Sequence, residues 1–246
     1  LSKIILHNGR CGSTYLYLVM DRYYRAREGD NTMDHLYDRT YNLSDCNYVG
    51  LNEFLVPELT SYFYDKNILC LDGVDRIKGN INKHGPLHNL MVTTKDKDSA
   101  ADRRAMVDKL LKTHFVLLKY PLLTNPEPKW DVDYISCERR DIRKQTKSLY
   151  LSMTTGYYHF KRGEEKKIER LKKFGPRPGV LDSWTKDMEK SWEVYRALKP
   201  KTAQTVFMED FEDLKPFEIL EMVGIMDWEK YLDKKFDVPI RKAWTR

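Results

Sequence analysis

The sequence predicts an α/β fold with a central, mostly parallel sheet flanked by helices. Three observations carry this expectation. Short apolar runs rich in β-branched residues recur at Lys3–Leu6, Phe115–Leu118 and Thr205–Met208. Segments with helical apolar spacing follow or precede them, as βαβ units require. The first run ends in the glycine turn Gly9–Gly12, where a strand passes directly into a helix. At 246 residues the chain is long enough for one large domain with a well-buried core, so 1–246 is read as a single domain. Hydrophobic and aromatic contents of 41% and 12% exclude a disordered chain. A charged fraction of 33% and a mean hydropathy of −0.66 imply a very polar surface.

Taken in order, Lys3 to Leu6 is expected as a buried strand. From Ser13 the spacing of Leu16, Val19, Met20 and Tyr23 predicts a helix. Asp30 to Asn47 reads as a polar loop, Phe54 to Tyr64 as a helix following Pro57, and Asn67 to Leu71 as a second strand. Asp75 to Asp98 is loop-like. Ser99 can cap a helix reaching about Thr113, with Met106, Val107, Leu110 and Leu111 on its apolar face. Phe115–Leu118 is a buried strand closed by Pro121, and Val132–Ser136 is another, with a helix from Asp141. Residues 155–180 hold the basic cluster Lys161–Lys167 and read as a charged lid or insertion. Asp182 to Leu198 is an amphipathic helix with Trp184, Met188, Trp192 and Tyr195 inward. The strand Thr205–Met208 follows, then Glu209-Asp210-Phe211 and a helix Pro216–Val223 ended by Gly224.

The net charge of +6 favours anionic ligands, but 37 acidic residues interspersed among 43 basic ones form no concentrated stripe, so nucleic acid is not the expected partner. The four cysteines, Cys11, Cys46, Cys70 and Cys137, form no Cys-x-x-Cys pair. That pattern suits reduced thiols in a cytoplasmic protein better than a zinc site or a disulfide framework. No apolar run approaches the ~18 residues of a membrane span. His84 and His88 are four apart, yet Gly85-Pro86 between them breaks any helix, so no metal pair is expected.

Two segments carry anion chemistry. In His7-Asn8-Gly9-Arg10-Cys11-Gly12-Ser13-Thr14-Tyr15 the backbone amides of Cys11 to Thr14 and two hydroxyls sit at a helix start, while Arg10 adds a permanent charge. The Walker spacing and its lysine are absent. Far along the chain, Arg140 and Ser148 lie eight positions apart, slightly over two helical turns, and can face one phosphate from one side. Arg139, Arg143, Lys144 and Lys147 beside them are expected to be solvated. Cys11 at a helix start is expected to be acidified.

Together these segments resemble the sulfotransferases that use 3′-phosphoadenosine 5′-phosphosulfate (PAPS). An Arg-x-Gly-Ser-Thr loop, an Arg-Asp…Ser element and the closing Phe207-Met208-Glu209-Asp210-Phe211…Val223-Gly224 occur in the family's order. Arg10 in place of lysine is most similar to the bacterial trehalose- and carbohydrate-type branch. The resemblance implies a P-loop-like sulfotransferase fold. It implies PAPS as donor, with adenosine 3′,5′-bisphosphate as product, and a hydroxyl acceptor on a carbohydrate or glycolipid, without a metal. Arg10 through Tyr15 would hold the phosphosulfate, and Arg140 with Ser148 the 3′-phosphate. Gly50-Leu51-Asn52-Glu53-Phe54 resembles the segment that carries the base in that branch, which makes Glu53 the candidate base, against an ordinary loop glutamate. Lys119, in Lys119-Tyr120-Pro121, would orient the sulfonate or simply snorkel at its strand end. His7 would touch ligand or merely end its strand. A small-molecule kinase and a nucleotide- or RNA-binding module are the other readings.

Overall fold

The computed structural model describes residues 1–29, 47–51, 107–123, 130–155, 160–161, 166, 169–170, 173–238 and 240–241. Its centre is a sheet of five strands, all parallel. These are β1 (Lys3–His7), β2 (Tyr48–Leu51), β3 (Phe115–Pro121), β4 (Asp133–Glu138) and β6 (Gln204–Phe207), in the order β2-β3-β1-β4-β6. A two-residue strand β5 (Phe160–Lys161) pairs antiparallel with β7 (Ile240–Arg241) in a separate ladder. The helices are α1 (Ser13–Arg27), α2 (Ile142–Thr155), α3 (Pro178–Leu198), α4 (Met208–Phe211) and α5 (Pro216–Met222); residues 107–113 are also helical.

β1 is central because both of its faces are apolar: Ile4, Ile5 and Leu6 are all fully buried. It pairs with β3 on one side, Leu6 opposite Tyr120, and with β4 on the other, Leu6 opposite Ser136. The chain leaving β1 runs through α1 to β2, beyond β3. The chain leaving β4 runs through α2 and α3 to β6, on the opposite side. The carboxyl ends of β1 and β4 therefore diverge, and that divergence is where open α/β sheets form a ligand crevice.

Several boundaries differ from expectation for identifiable reasons. β4 runs two residues past Ser136 because Glu138, although charged, is buried with partners: Lys199 Nζ at 2.5 Å, Arg196 Nε at 3.2 Å and the Ser136 hydroxyl at 2.9 Å. α3 begins at Pro178 rather than Asp182, since proline suits the first helical turn after the extended Arg177. Met208 belongs to α4, not to the strand before it. Trp192 and Tyr195 are core residues as expected, whereas Trp184 and Met188 are only half-buried. β2 was not anticipated. Its Gly50 lies beneath α1, where a methyl group would collide with the Asp21 carboxylate and the Tyr17 and Tyr48 hydroxyls. The elements expected at Phe54–Tyr64 and Asn67–Leu71, and the Ser99 cap, lie outside the described residues. So does much of the charged stretch between 155 and 180.

Candidate functional site

The glycine turn wraps the carboxyl end of β1 through three left-handed residues, Gly9 (φ 65°), Arg10 (φ 49°) and Gly12 (φ 81°). Arg10 is the costly one, since a side chain disfavours this region. Gly12 must be glycine on two counts: its φ, and the ring of Phe211, 3.0 Å from where a Cβ would stand. α1 starts immediately, and its first backbone bond runs from Leu16 N–H to the Gly12 carbonyl. The amides preceding that bond are the ones a helix start leaves for an anion.

Around this turn the structure gathers side chains from four other elements. Arg10 Nε donates to Ser148 Oγ on α2 at 3.2 Å, so the two segments singled out as anion sites lie side by side. Gln145, one turn earlier on the same face of α2, is fully buried. Its Nε2 donates to the Gly9 carbonyl (2.6 Å) and the Asn8 carbonyl (3.3 Å), while Trp192 Nε1 on α3 donates to its Oε1 (2.8 Å). Asn8 Nδ2 donates to Ser191 Oγ at 2.8 Å. The turn is thus held by α2 and α3 through the Gly9 and Asn8 carbonyls and the Asn8 side chain.

Of the two arginines at the end of β4, Arg139 departs from its expected place. Arg139 was expected in solvent, yet it is 2% exposed and its Nη1 donates to the Arg10 carbonyl at 3.2 Å. Burial lowers its pKa, opposed mainly by the nearby Glu209 carboxylate, 3.6 Å away. Arg140 is half exposed, with a bidentate pair to Asp210 (2.5 and 2.9 Å) and its guanidinium 4.0 Å above the Phe207 ring. Glu209 accepts the backbone N–H groups of Arg140 and Asp141, each at 3.1 Å. The Glu-Asp pair of α4 therefore fastens the turn that follows β4. Ser148 meets Arg10, and Arg140 meets Asp210.

Lys119 on β3 is buried under the start of α1, and its Nζ donates to Thr14 Oγ1 at 2.7 Å. Burial pulls its pKa down to about 7, with Arg10 adding to the fall and Cys11 opposing it. It does not snorkel. His7 is 7% exposed, and its Nδ1 accepts the Gly9 N–H at 3.2 Å, which places the neutral ring's proton on Nε2; among the described residues that nitrogen has no partner. Burial, then Lys119, hold its pKa well below the usual histidine value. Cys11 is buried and acidified to about 7: burial raises it, and hydrogen bonds from Cys137, Ser13 and Asn8 more than offset that.

Glu53, His84, His88, Cys46 and Cys70 lie outside the described residues. β2 ends at Leu51 on the same edge of the sheet as the turn, with β3 between it and β1, roughly 10 Å away at ordinary strand spacing. Among the described residues no cluster of three His, Cys, Asp or Glu can hold a metal ion, and no helix is long and apolar enough to cross a membrane. Gln145 was legible in one respect: it sits three residues before Ser148 and so shares its helix face. The inward turn of Arg139 had no signal in the sequence, because adjacent arginines read alike.

Comparison with known proteins returns no matching family model, curated protein or solved structure.

Proposed function

We propose that this chain is a PAPS-dependent sulfotransferase acting on a hydroxyl of a carbohydrate or glycolipid. The reading rests on the sequence resemblance, and the observation that carries it furthest is the bond between Arg10 and Ser148. It sets the glycine turn beside the Arg/Ser helix at the switch point of a parallel sheet, the region where open α/β sheets bind ligands.

In this reading the amides of Cys11 to Thr14 and the Ser13 and Thr14 hydroxyls hold the phosphosulfate. Arg10 stands where charge grows on the bridging oxygen as the sulfur–oxygen bond breaks. Lys119, bonded to Thr14, is close enough to the loop to orient the sulfonate oxygens. Ser148 and Arg140 take the 3′-phosphate, which competes with Asp210 for the Arg140 guanidinium. The acceptor oxygen attacks sulfur in line, its proton passing to Glu53. Adenosine 3′,5′-bisphosphate leaves with the bridging oxygen's negative charge.

A thermal-shift comparison tests this directly. Adenosine 3′,5′-bisphosphate at one hundred times its Kd should stabilise the chain by about 2.7 kcal/mol. ADP, and ATP with magnesium, should do less at equal concentration. Stabilisation by ATP with magnesium alone would mean a kinase. Ser148→Ala should weaken the bisphosphate by roughly tenfold, the value of one charge-assisted hydrogen bond. Glu53→Gln should abolish transfer yet leave that binding intact.

A further inference from the structure

Cys11 and Cys137 lie far apart in sequence and meet beneath the glycine turn. β1 and β4 pair in register, with His7 opposite Cys137, and the turn after His7 folds back over the end of β4. The Cys137 thiol donates to the Cys11 carbonyl oxygen at 3.0 Å, and the two thiols are near enough for each to shift the other's pKa. Both are free and fully buried. We propose that Cys11 and Cys137 form a modification site at which peroxide-class oxidants make a reversible intrachain disulfide, clamping the glycine turn to the end of β4.

The two sulfurs differ in the way this reaction needs. The Cys11 sulfur accepts from the Cys137 thiol, from the Ser13 backbone and hydroxyl, and from the Asn8 backbone, and these donors overcome burial to bring it to about 7. Burial raises Cys137 well above its usual value, and the neighbouring Cys11 raises it further, so it stays a thiol. At neutral pH Cys11 is about half thiolate against roughly 3% for an ordinary cysteine, a gain of roughly fifteenfold in the reactive species.

The Cys11 thiolate attacks one peroxide oxygen. The O–O bond breaks, the leaving oxygen takes a proton and departs as water, and sulfur is oxidised to sulfenic acid. The Cys137 sulfur then attacks the sulfenic sulfur, its proton joins the leaving hydroxide as a second water, and the S–S bond closes. Two thiols and one hydrogen peroxide thus give one disulfide and two waters. Closing the gap between the two sulfurs to an S–S bond of about 2 Å draws Cys11 toward β4. That movement disturbs the Arg139 bond to the Arg10 carbonyl and the Gln145 bond to the Gly9 carbonyl, and with them the turn's amides.

The site does not depend on the sulfotransferase reading, and its test does not use activity. The reduced full chain is exposed to hydrogen peroxide, alkylated, digested without reductant and mapped by mass spectrometry. The expected product is a Cys11–Cys137 cross-linked peptide pair, two hydrogens lighter than the reduced pair and released by dithiothreitol. In Cys137→Ala, dimedone should trap sulfenic acid at Cys11. In Cys11→Ser, Cys137 should remain a free thiol under the same exposure. Absence of the cross-link in the wild-type chain would overturn the proposal. So would Cys11 advancing to sulfinic acid with Cys137 still reduced, or disulfides formed only through Cys46 or Cys70. The wild-type map decides between these outcomes even if a variant fails to fold.

Discussion

Lys119 is 1% exposed and donates to the Thr14 hydroxyl, and burial is the largest influence on its charge, which is desolvated at a real cost in stability. The cost depends on pH, and its sign follows from the depressed value. The unfolded chain keeps this proton up to about 10.5, while the folded chain releases it at about 7. Between those values the unfolded state binds more protons, so stability rises with pH by at most about 1.4 kcal/mol per pH unit from this group. Below about 7 both states are protonated and the folded chain bears the whole penalty. Cys11 works in the same direction between about 7 and its ordinary value of 9. Melting curves from pH 7 to 9 should therefore climb for the wild-type chain, and more shallowly for Lys119→Met. Parallel slopes in the two proteins would place the titrating group elsewhere.

Among the elements, α4 is a helix of only four residues that holds a consequential carboxylate. Glu209 caps two backbone amides after β4 and lies against the buried Arg139. Glu209→Ala leaves those amides and that guanidinium short of an acceptor, and should cost about 1–3 kcal/mol in denaturant unfolding. The exposed Asp213→Ala, two residues past α4, should be close to neutral, and equal losses for both would dismiss the capping role. The sequence displayed α4 as a Glu-Asp pair ahead of a proline helix, but not what the pair holds. The central strands were legible because apolar runs such as Ile4-Ile5-Leu6 and Val116-Leu117-Leu118 have one physical solution, burial on both faces. β2 was hidden because four residues interrupted by glycine give no periodicity, and that glycine answers to α1 rather than to the strand. In the site, the turn and the Arg/Ser helix were readable from residue type at a strand end. The face of Gln145 was readable beside Ser148, but its hold on the turn and the inward course of Arg139 were not, since both grip backbone carbonyls that no local pattern reveals.

At the scale of the molecule, stability is centred on β1, β3 and β4, whose interior residues are almost wholly enclosed. β6 is an outer strand with Gln204 and Thr205 exposed. Native-state hydrogen exchange should be slowest at Ile4–Leu6, Val116–Leu118 and Ile135–Cys137, and markedly faster along β6. Uniform protection across the five strands would contradict this ranking. The glycine turn thus grows from the most enclosed strand of the sheet, so its strained Arg10 is held by the core beneath it together with its bonds to Ser148 and Arg139.

The same loop is wired to a chromophore. Trp192, one of five tryptophans, gives its indole proton to the Gln145 amide that grips the Gly9 and Asn8 carbonyls. Any displacement of those carbonyls, by a ligand or by oxidation of the cysteines below, is passed through one amide to a shielded indole. The protein consequently carries an intrinsic optical readout of its own glycine turn, with no label attached.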